Sequence, residues 1–559
     1  MQNVFQNEST QNFEVAFLAN IGKKLPENSV SSPQNSVSSP HKSDALASTA
    51  STSFSSSGDG NYSDSHCSLS SLSSLSSSSS SSAGCCTCPN DDDVKQRRDS
   101  EDLKPFYPLQ ENISAAVSNQ VFDISIFSSV ASFVNSRIQD KYETGSFLVT
   151  DLGSVARQFK QWQKELPTVA PFYAVKCNPY PHILKLLASM GRNFDCATMG
   201  EIDLVLNGLG NELSFGSRGL ASSSIVYANP AKMEHMLEFA IQNNVKMTVF
   251  DGEDELYKIA SLTGGDKMQL LLSLATDDRA SICRFSKKFG APVSEASHLL
   301  SVAKKLGLYV AGVSFHVGSG CGDANAYITA LEHAKRVFDC AIELGMPACH
   351  ILDLGGGFPG DSAYLKLHAG IPTFQELESA IRRGLQTYFY DDETYATTVR
   401  VIAEPGRYMV SACTYIATKI YSRKGGRNDY QALYVDDGVY GSFNSVVYDQ
   451  AKPIPKRLLS IVGKDKDRDK DRDKDQVDGD AMDAKDAREI PSAVFGPTCD
   501  GLDQMCSLES MTLPRCEVGD WLFWDNQGAY THTASFVFNG LFRSASANKR
   551  VDLLKVPKI

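Results

Sequence analysis

Short apolar runs separated by helix-period segments fill the middle of the chain. The runs FYAVK, FDCAT, IVYAN, MTVFD, LLLSL, VSFHV, ILDLG and VIAEP lie between residues 172 and 405. Each is short, rich in β-branched or aromatic residues and bounded by polar or glycine positions, which predicts a buried strand. The intervening stretches, such as ILKLLASMG after the first run and AKMEHMLEFAIQNN after the third, space their apolar residues as a helix does. Strand and helix in regular alternation predict a parallel (β/α)8 barrel. An open doubly wound sheet is the other architecture, but no GxGxxG opens the first helix. Polar or glycine residues recur where the runs end: Lys176, Asp195, Asn229, Asp251, Ser273, His316, Gly355 and Glu404. Barrels carry their chemistry on the C-terminal rim, so these positions would converge on one mouth.

Beyond about residue 413 the helical period fades. CTYIATKIY, YQALYVDDGVYGSFN and DWLFWDNQGAYTHTASFVFNG read as strands of a second, all-β domain. The division expected is a barrel over 148–413 and a β domain over 414–559, with a segment over 105–147 packing on the latter. FLVTD, at 147–151, reads as a strand that joins the β domain. Residues 1–104 have a different character. SSPQNSVSSP and SLSSLSSL are low-complexity serine tracts, too poor in apolar surface to offset chain entropy, and predict a disordered extension. The GCCTCPN cluster there (Cys85, Cys86, Cys88) would suit a metal or a lipid, but it lacks a second ligand pair at zinc-finger spacing. A flexible tail open to phosphorylation is the favoured reading. KDKDRDKDRDKDQ, at 464–476, alternates opposite charges that cannot be buried and predicts a solvated insertion, about 463–488, within the β domain.

Composition narrows the function classes. Hydrophobic residues make up 42% and charged residues 21% of the 559, ordinary for a globular protein. A net charge of −12 argues against a nucleic-acid-binding face. No apolar run reaches the roughly 18 residues of a membrane span. MQNVFQNEST lacks the basic flank and apolar core of a secretory signal, so the 14 cysteines are expected as free thiols in a cytoplasmic protein. No metal is called for.

Candidate chemistry gathers at the strand ends. PFYAVKCN finishes an apolar run on Lys176, which either bends out to solvent or is held because its amine is needed. In ILDLGGGFPG, Gly355, Gly356 and Gly357 would let backbone N–H groups approach an anion, though a mobile turn explains them as well. AEPGRY follows at the end of the next strand, with Gly406 and Arg407. Phosphate sites on barrels use the loops after strands seven and eight, which are these two. Barrel, phosphate loops and strand-end lysine together suggest pyridoxal phosphate (PLP), bound through the lysine amine. Glu404 would sit beside the pyridine nitrogen or pair with Arg407. His316 would stack on the ring or serve as a core histidine.

PFYAVKCN, FDCAT, SFHVGSG, LDLGGGFPG, EPGRY, VDDGVYGSFN, GPTCDGLD and GAYT together resemble the eukaryotic ornithine decarboxylases, PLP enzymes of fold type III. The resemblance runs from about residue 105 to the end and is interrupted mainly by the charged insertion. It implies decarboxylation of L-ornithine to putrescine. Lys176 would carry the cofactor, with Asp195 nearby and Arg284 of ICRF as the partner of Asp195. His316 would stack on the ring and Glu404 would pair with its nitrogen. Ser319, Gly355 to Gly357, Gly406, Arg407 and Tyr530 would hold the phosphate. The resemblance further implies a homodimer with shared active sites, in which GPTCDGLD enters from the partner subunit. Cys499 would return a proton to the substrate carbon, while Asp500, Asp449 and Tyr448 bind the substrate tail and Tyr440 and Phe538 line the pocket. IVYANPAKMEHMLEFAIQNN is similar to the family's antizyme-contacting region, so antizyme is an expected partner. The rival readings are a lysine, arginine or diaminopimelate decarboxylase and a non-catalytic protein like the antizyme inhibitors. CDGLD departs from the CESxD of diaminopimelate enzymes, and the cofactor positions that decay in antizyme inhibitors are intact here.

Overall fold

The computed structural model describes residues 121–139, 143–209, 222–263, 268–360, 365, 368, 370–425, 430–458, 488–535, 537–541 and 550–554. The serine-rich extension, its cysteine cluster and the charged repeat at 464–476 lie outside the described residues.

Eight parallel strands close into a barrel: β1 (Val169–Ala174), β2 (Asn193–Cys196), β3 (Ile225–Tyr227), β4 (Met247–Phe250), β5 (Gln269–Leu274), β6 (Val310–Phe315), β7 (Ile351–Asp353) and β8 (Arg400–Ala403). Each predicted run supplies one strand. The ring closes where β8 lies beside β1, with Val401 opposite Val169 and Ala403 opposite Pro171. The two-residue period of a strand decides which side chains fill it. Phe172, Val226, Val249, Leu271, Ile351 and Ile402 form a plug inside the barrel. Their neighbours Tyr173, Phe194, Leu352 and Val401 face out into the larger core beneath the helices. Burying one such side chain contributes about 1.5–3 kcal/mol. The same period carried two residues past Ile351 and Ile402 arrives at Asp353 and Glu404. A chain that alternates apolar residues for its plug therefore delivers acids to the top of it.

The second domain is a β sheet built around Thr414–Lys424, a long strand that pairs antiparallel with Phe147–Asp151, Gln431–Val435 and Trp521–Trp524. Arg550–Leu554 lies parallel to Phe147–Asp151, and Val121–Asp123 lies parallel to Arg550–Leu554. The boundary expected at 148 is therefore corrected: the barrel portion begins with the helix Leu152–Glu165. Both faces of Phe147–Asp151 are covered, Leu148 by one apolar cluster and Phe147 with Val149 by another, so this segment belongs in a sheet buried on two sides. No described helix is long and apolar enough to cross a membrane.

Candidate active site

Lys176 sits in a single 3-10 turn, Val175–Cys177, directly after β1. Its Nζ is ion-paired with Oδ2 of Asp195, which lies one residue before the end of β2 and is fully buried. Burial pulls the amine toward losing its proton, but the charges of Asp195, Glu404 and Tyr530 outweigh it, and the pKa lies above its ordinary value. Burial raises the pKa of Asp195 against the opposing pull of Lys176.

A second acid lies beside this pair. Asp353 is fully buried, accepts from the Gly355 N–H at 2.9 Å and the Ser314 hydroxyl at 3.1 Å, and is hydrogen-bonded to Glu404. Burial, the largest cause, pushes Asp353 up to about 6. Burial and the carboxylates of Asp195 and Asp353 hold Glu404 well above the ordinary range. Near neutral pH the proton of this pair therefore rests on Glu404. Glu404 Oε1 and Asp195 Oδ1 are buried with no partner among the described residues. A buried acceptor without a donor is costly, so both atoms point to a missing group.

The glycine run forms a bare wall next to them. Gly355 has φ +59°, and a Cβ there would lie 2.1 Å from the Phe315 carbonyl oxygen. A Cβ on Gly356 would lie 2.6 Å from His316 Nε2. The buried Tyr327 hydroxyl fixes this wall by donating to the Gly356 carbonyl at 2.9 Å. His316 accepts from the Gly318 N–H through Nδ1 at 3.0 Å, and the Phe285 ring packs against it at 4.6 Å and 78°. Burial, helped by the charge of Lys176, pushes His316 down to about 3, so the ring is neutral. Phe285 is itself held by Asp278, whose carboxylate accepts from the Phe285 and Ser286 N–H groups at 2.6 and 2.8 Å.

At the far side Arg407 opens the short helix Arg407–Val410. Its Nη2 donates to the Ser319 hydroxyl at 3.0 Å and pairs with Asp449 at 2.6 Å. The guanidinium lies 5.1 Å from the centre of the Tyr530 ring. The Tyr530 N–H bonds to the Cys177 carbonyl at 3.0 Å and so ties the β domain to the turn that carries Lys176.

Two expectations are corrected here. Glu404 does not pair with Arg407, because each has a nearer partner of its own, Asp353 and Asp449. Arg284 does not pair with Asp195. It is exposed and donates to the Arg279 carbonyl at 2.5 Å, while Lys176 occupies Asp195. A long cation on an exposed loop keeps its hydration by facing out.

The remaining predicted residues form a separate group. Asp500 accepts from the Tyr440 hydroxyl, the Tyr440 ring stacks on Phe538 at 4.4 Å and 18°, and Cys499 is exposed beside Asn539. Tyr448 is 62% exposed. Sequence reasoning missed Asp353, Asn539 and Cys283, whose thiol lies 3.4 Å from Asp449 Oδ1. A signal for Asp353 was present, an acid inside the apolar run ILDLG.

Residues 152–411 match the family described as pyridoxal-dependent decarboxylase, pyridoxal binding domain. Ornithine decarboxylase of Mus musculus is 40% identical over 421 residues, covering 73% of this chain and 81% of the mouse protein. That of Saccharomyces cerevisiae is 38% identical and covers 74% of this chain and 82% of the yeast protein. Antizyme inhibitor 2 of Xenopus laevis is 38% identical with similar coverage, 73% and 82%. Among solved structures, the arginine decarboxylase of Paramecium bursaria Chlorella virus superposes with a TM-score of 0.62 at 29% identity, over 76% of this chain and 99% of that one. The lysine/ornithine decarboxylase of Vibrio vulnificus, complexed with putrescine, gives 0.61 at 25% identity, over 76% and 99%.

Proposed function

This chain belongs to the eukaryotic ornithine decarboxylases, and from that premise we propose how its residues divide the work. The reaction is decarboxylation of L-ornithine to putrescine and carbon dioxide, with PLP as cofactor. One observation carries the assignment: the Lys176–Asp195 and Glu404–Asp353 pairs share a single barrel mouth, beside the glycine wall and Arg407. This donor set fits the cofactor. Two buried acceptor atoms stand ready for its donors, and the bare backbone leaves room for its phosphate. When bound, PLP supplies an electron sink for the pair left on carbon as carbon dioxide departs.

The chain's own residues do the rest. Asp195 Oδ2 holds Lys176 Nζ at the mouth and keeps it protonated, and as its ion-pair partner would be the base that takes that proton when the amine bonds to the cofactor. Glu404 keeps a proton available for a ring nitrogen, with Asp353 holding Glu404 in place. His316 offers a neutral face for ring stacking and cannot compete for charge. Ser319, Gly355 to Gly357, Gly406, Arg407 and Tyr530 bind the phosphate. Asp449, Asp500 and Tyr448 receive the distal amine of the substrate, and an apolar tail would forfeit the charge-assisted hydrogen bonds that the two carboxylates offer. Tyr440 and Phe538 line the pocket. Cys499 returns the proton to the substrate carbon.

Asp449 lies against Arg407, whereas Cys499 and Asp500 gather with Tyr440 and Phe538. A homodimer in the cytoplasm, each copy lending its Cys499 segment to the other, would complete both sites. Intact Lys176, Asp195, His316 and Arg407 favour catalysis over the non-catalytic role suggested by the antizyme-inhibitor relative. The test is turnover of ornithine, lysine, arginine and diaminopimelate by the purified protein with PLP. Faster turnover of lysine or arginine than of ornithine would overturn the substrate assignment.

A further inference from the structure

The tip of the β domain beside Cys499 is a turn with a defined chemistry. The Leu541 N–H bonds back to the Phe538 carbonyl at 3.0 Å, closing a four-residue turn. Its two central residues, Asn539 and Gly540, have φ +55° and +67°. Positive φ at both centres is the type I′ turn, for which Asn-Gly is the favoured sequence. Phe538 is anchored by its stack on Tyr440, so the turn is fixed at its base and holds Asn539 at its tip. From there the carboxamide oxygen of Asn539 reaches two atoms of one residue. The Cys499 N–H lies 3.2 Å from Oδ1 and the Cys499 Sγ lies 3.4 Å from it.

The two contacts constrain each other. A backbone N–H can only donate, so the amide must present its oxygen to Cys499. That oxygen can only accept, so the thiol must donate to it. A thiolate at the same place would face the oxygen's lone pairs.

We propose that Asn539 is the positioning residue for the proton donor Cys499, aiming its Sγ–H through one carboxamide oxygen. This rests on the reading of Cys499 as the acid that protonates the substrate carbon. As carbon dioxide leaves, the electron pair of the broken C–C bond stays on carbon and takes the Sγ proton, giving the diamine, and solvent reprotonates the sulfur. When the proton is delivered to the cofactor instead, the amino nitrogen leaves with the cofactor and water supplies the oxygen of an amino-aldehyde. The ratio of amino-aldehyde to putrescine therefore reports how well the thiol is placed.

Asn539→Gly is the decisive variant, because glycine keeps the positive φ of the turn and removes only the carboxamide. Asn539→Asp keeps the acceptor and adds charge. In the holoenzyme, the rate of iodoacetamide alkylation at Cys499 at fixed pH should rise several-fold in Asn539→Gly, because the thiol loses the acceptor that holds it. The aldehyde-to-putrescine ratio should rise several-fold in the same variant. Asn539→Asp keeps the acceptor, so it should return both the alkylation rate and the ratio toward wild type. An Asn539→Gly enzyme with either readout unchanged overturns the proposal. Cys499→Ala separates the premise: if that variant leaves the product ratio unchanged, the assignment of Cys499 itself falls, whatever Asn539 does.

Discussion

Replacing Asp353 with asparagine tests the shared proton above the barrel plug. Asp353 is fully buried, and burial is the main cause that lifts its pKa from 3.8 to about 6. The folded chain thus binds this proton more tightly than the unfolded chain does. The stability it contributes is fully present below about pH 4 and is lost as pH rises through about 6. At about 1.4 kcal/mol per unit, a gap of about 2 units is worth roughly 3 kcal/mol, of which about 2 falls between about pH 4.5 and 7. Asparagine keeps the shape and an oxygen for the Gly355 N–H but cannot titrate. The assay is urea unfolding of the cofactor-free protein, wild type and Asp353→Asn, across that range. Subtracting one profile from the other removes what His316 and the surface acids contribute to both. Because Glu404 shares the proton, the difference reports the pair rather than one residue. Wild type should lose about 2 kcal/mol relative to the variant as the pH rises. A difference constant to within about 0.5 kcal/mol would refute the reasoning. So would a difference of opposite sign, which is what an ionised and ion-paired acid would give.

The glycine wall and the phosphate anchor give two more tests. Gly355→Ala meets both the left-handed φ and the Phe315 carbonyl at 2.1 Å, and should cost about 2–4 kcal/mol in urea unfolding. Gly356→Ala meets mainly the movable His316 ring at 2.6 Å, so it should spare stability yet weaken PLP binding about tenfold or more, read by fluorescence titration. Equal stability losses in the two variants would contradict this division. Arg407→Lys keeps the charge but loses the planar guanidinium whose Nη2 reaches both Ser319 and Asp449, and PLP affinity should drop about tenfold in the same titration. Unchanged affinity would show that Arg407 acts only as a point charge.

The parts legible in the sequence are those set by local period. Each barrel strand announced itself because alternate side chains must fill the plug, and Lys176 because it ends such a run with a charge. What the sequence hid depends on distant contacts or on the direction a side chain takes. Asp353 went unmarked inside ILDLG because only the fold brings Glu404 against it. Arg407 and Asp449 belong to different domains, and nothing local marks them as a pair. Arg284 was misplaced because spacing fixes a loop residue's position but not the face it turns to. Asn539 had a signal in its Asn-Gly turn, but forty residues separate it from the thiol it reaches.

The two acid pairs also explain why the chain spends so many ionisable groups on one mouth. Three buried acids beside the half-buried Lys176, all charged, would repel or demand water, which the plug excludes. Lys176 neutralises Asp195, and a proton on Glu404 lets Asp353 alone remain ionised, so the set carries about one net negative charge at neutral pH. A ring nitrogen that accepts the Glu404 proton relocates that charge without adding any. Cys499 lies outside this balance, in the group with Asn539, Tyr440 and Phe538. The arrangement separates the proton that tunes the cofactor from the proton that finishes the product. Each can then be altered by mutation while the other is left in place.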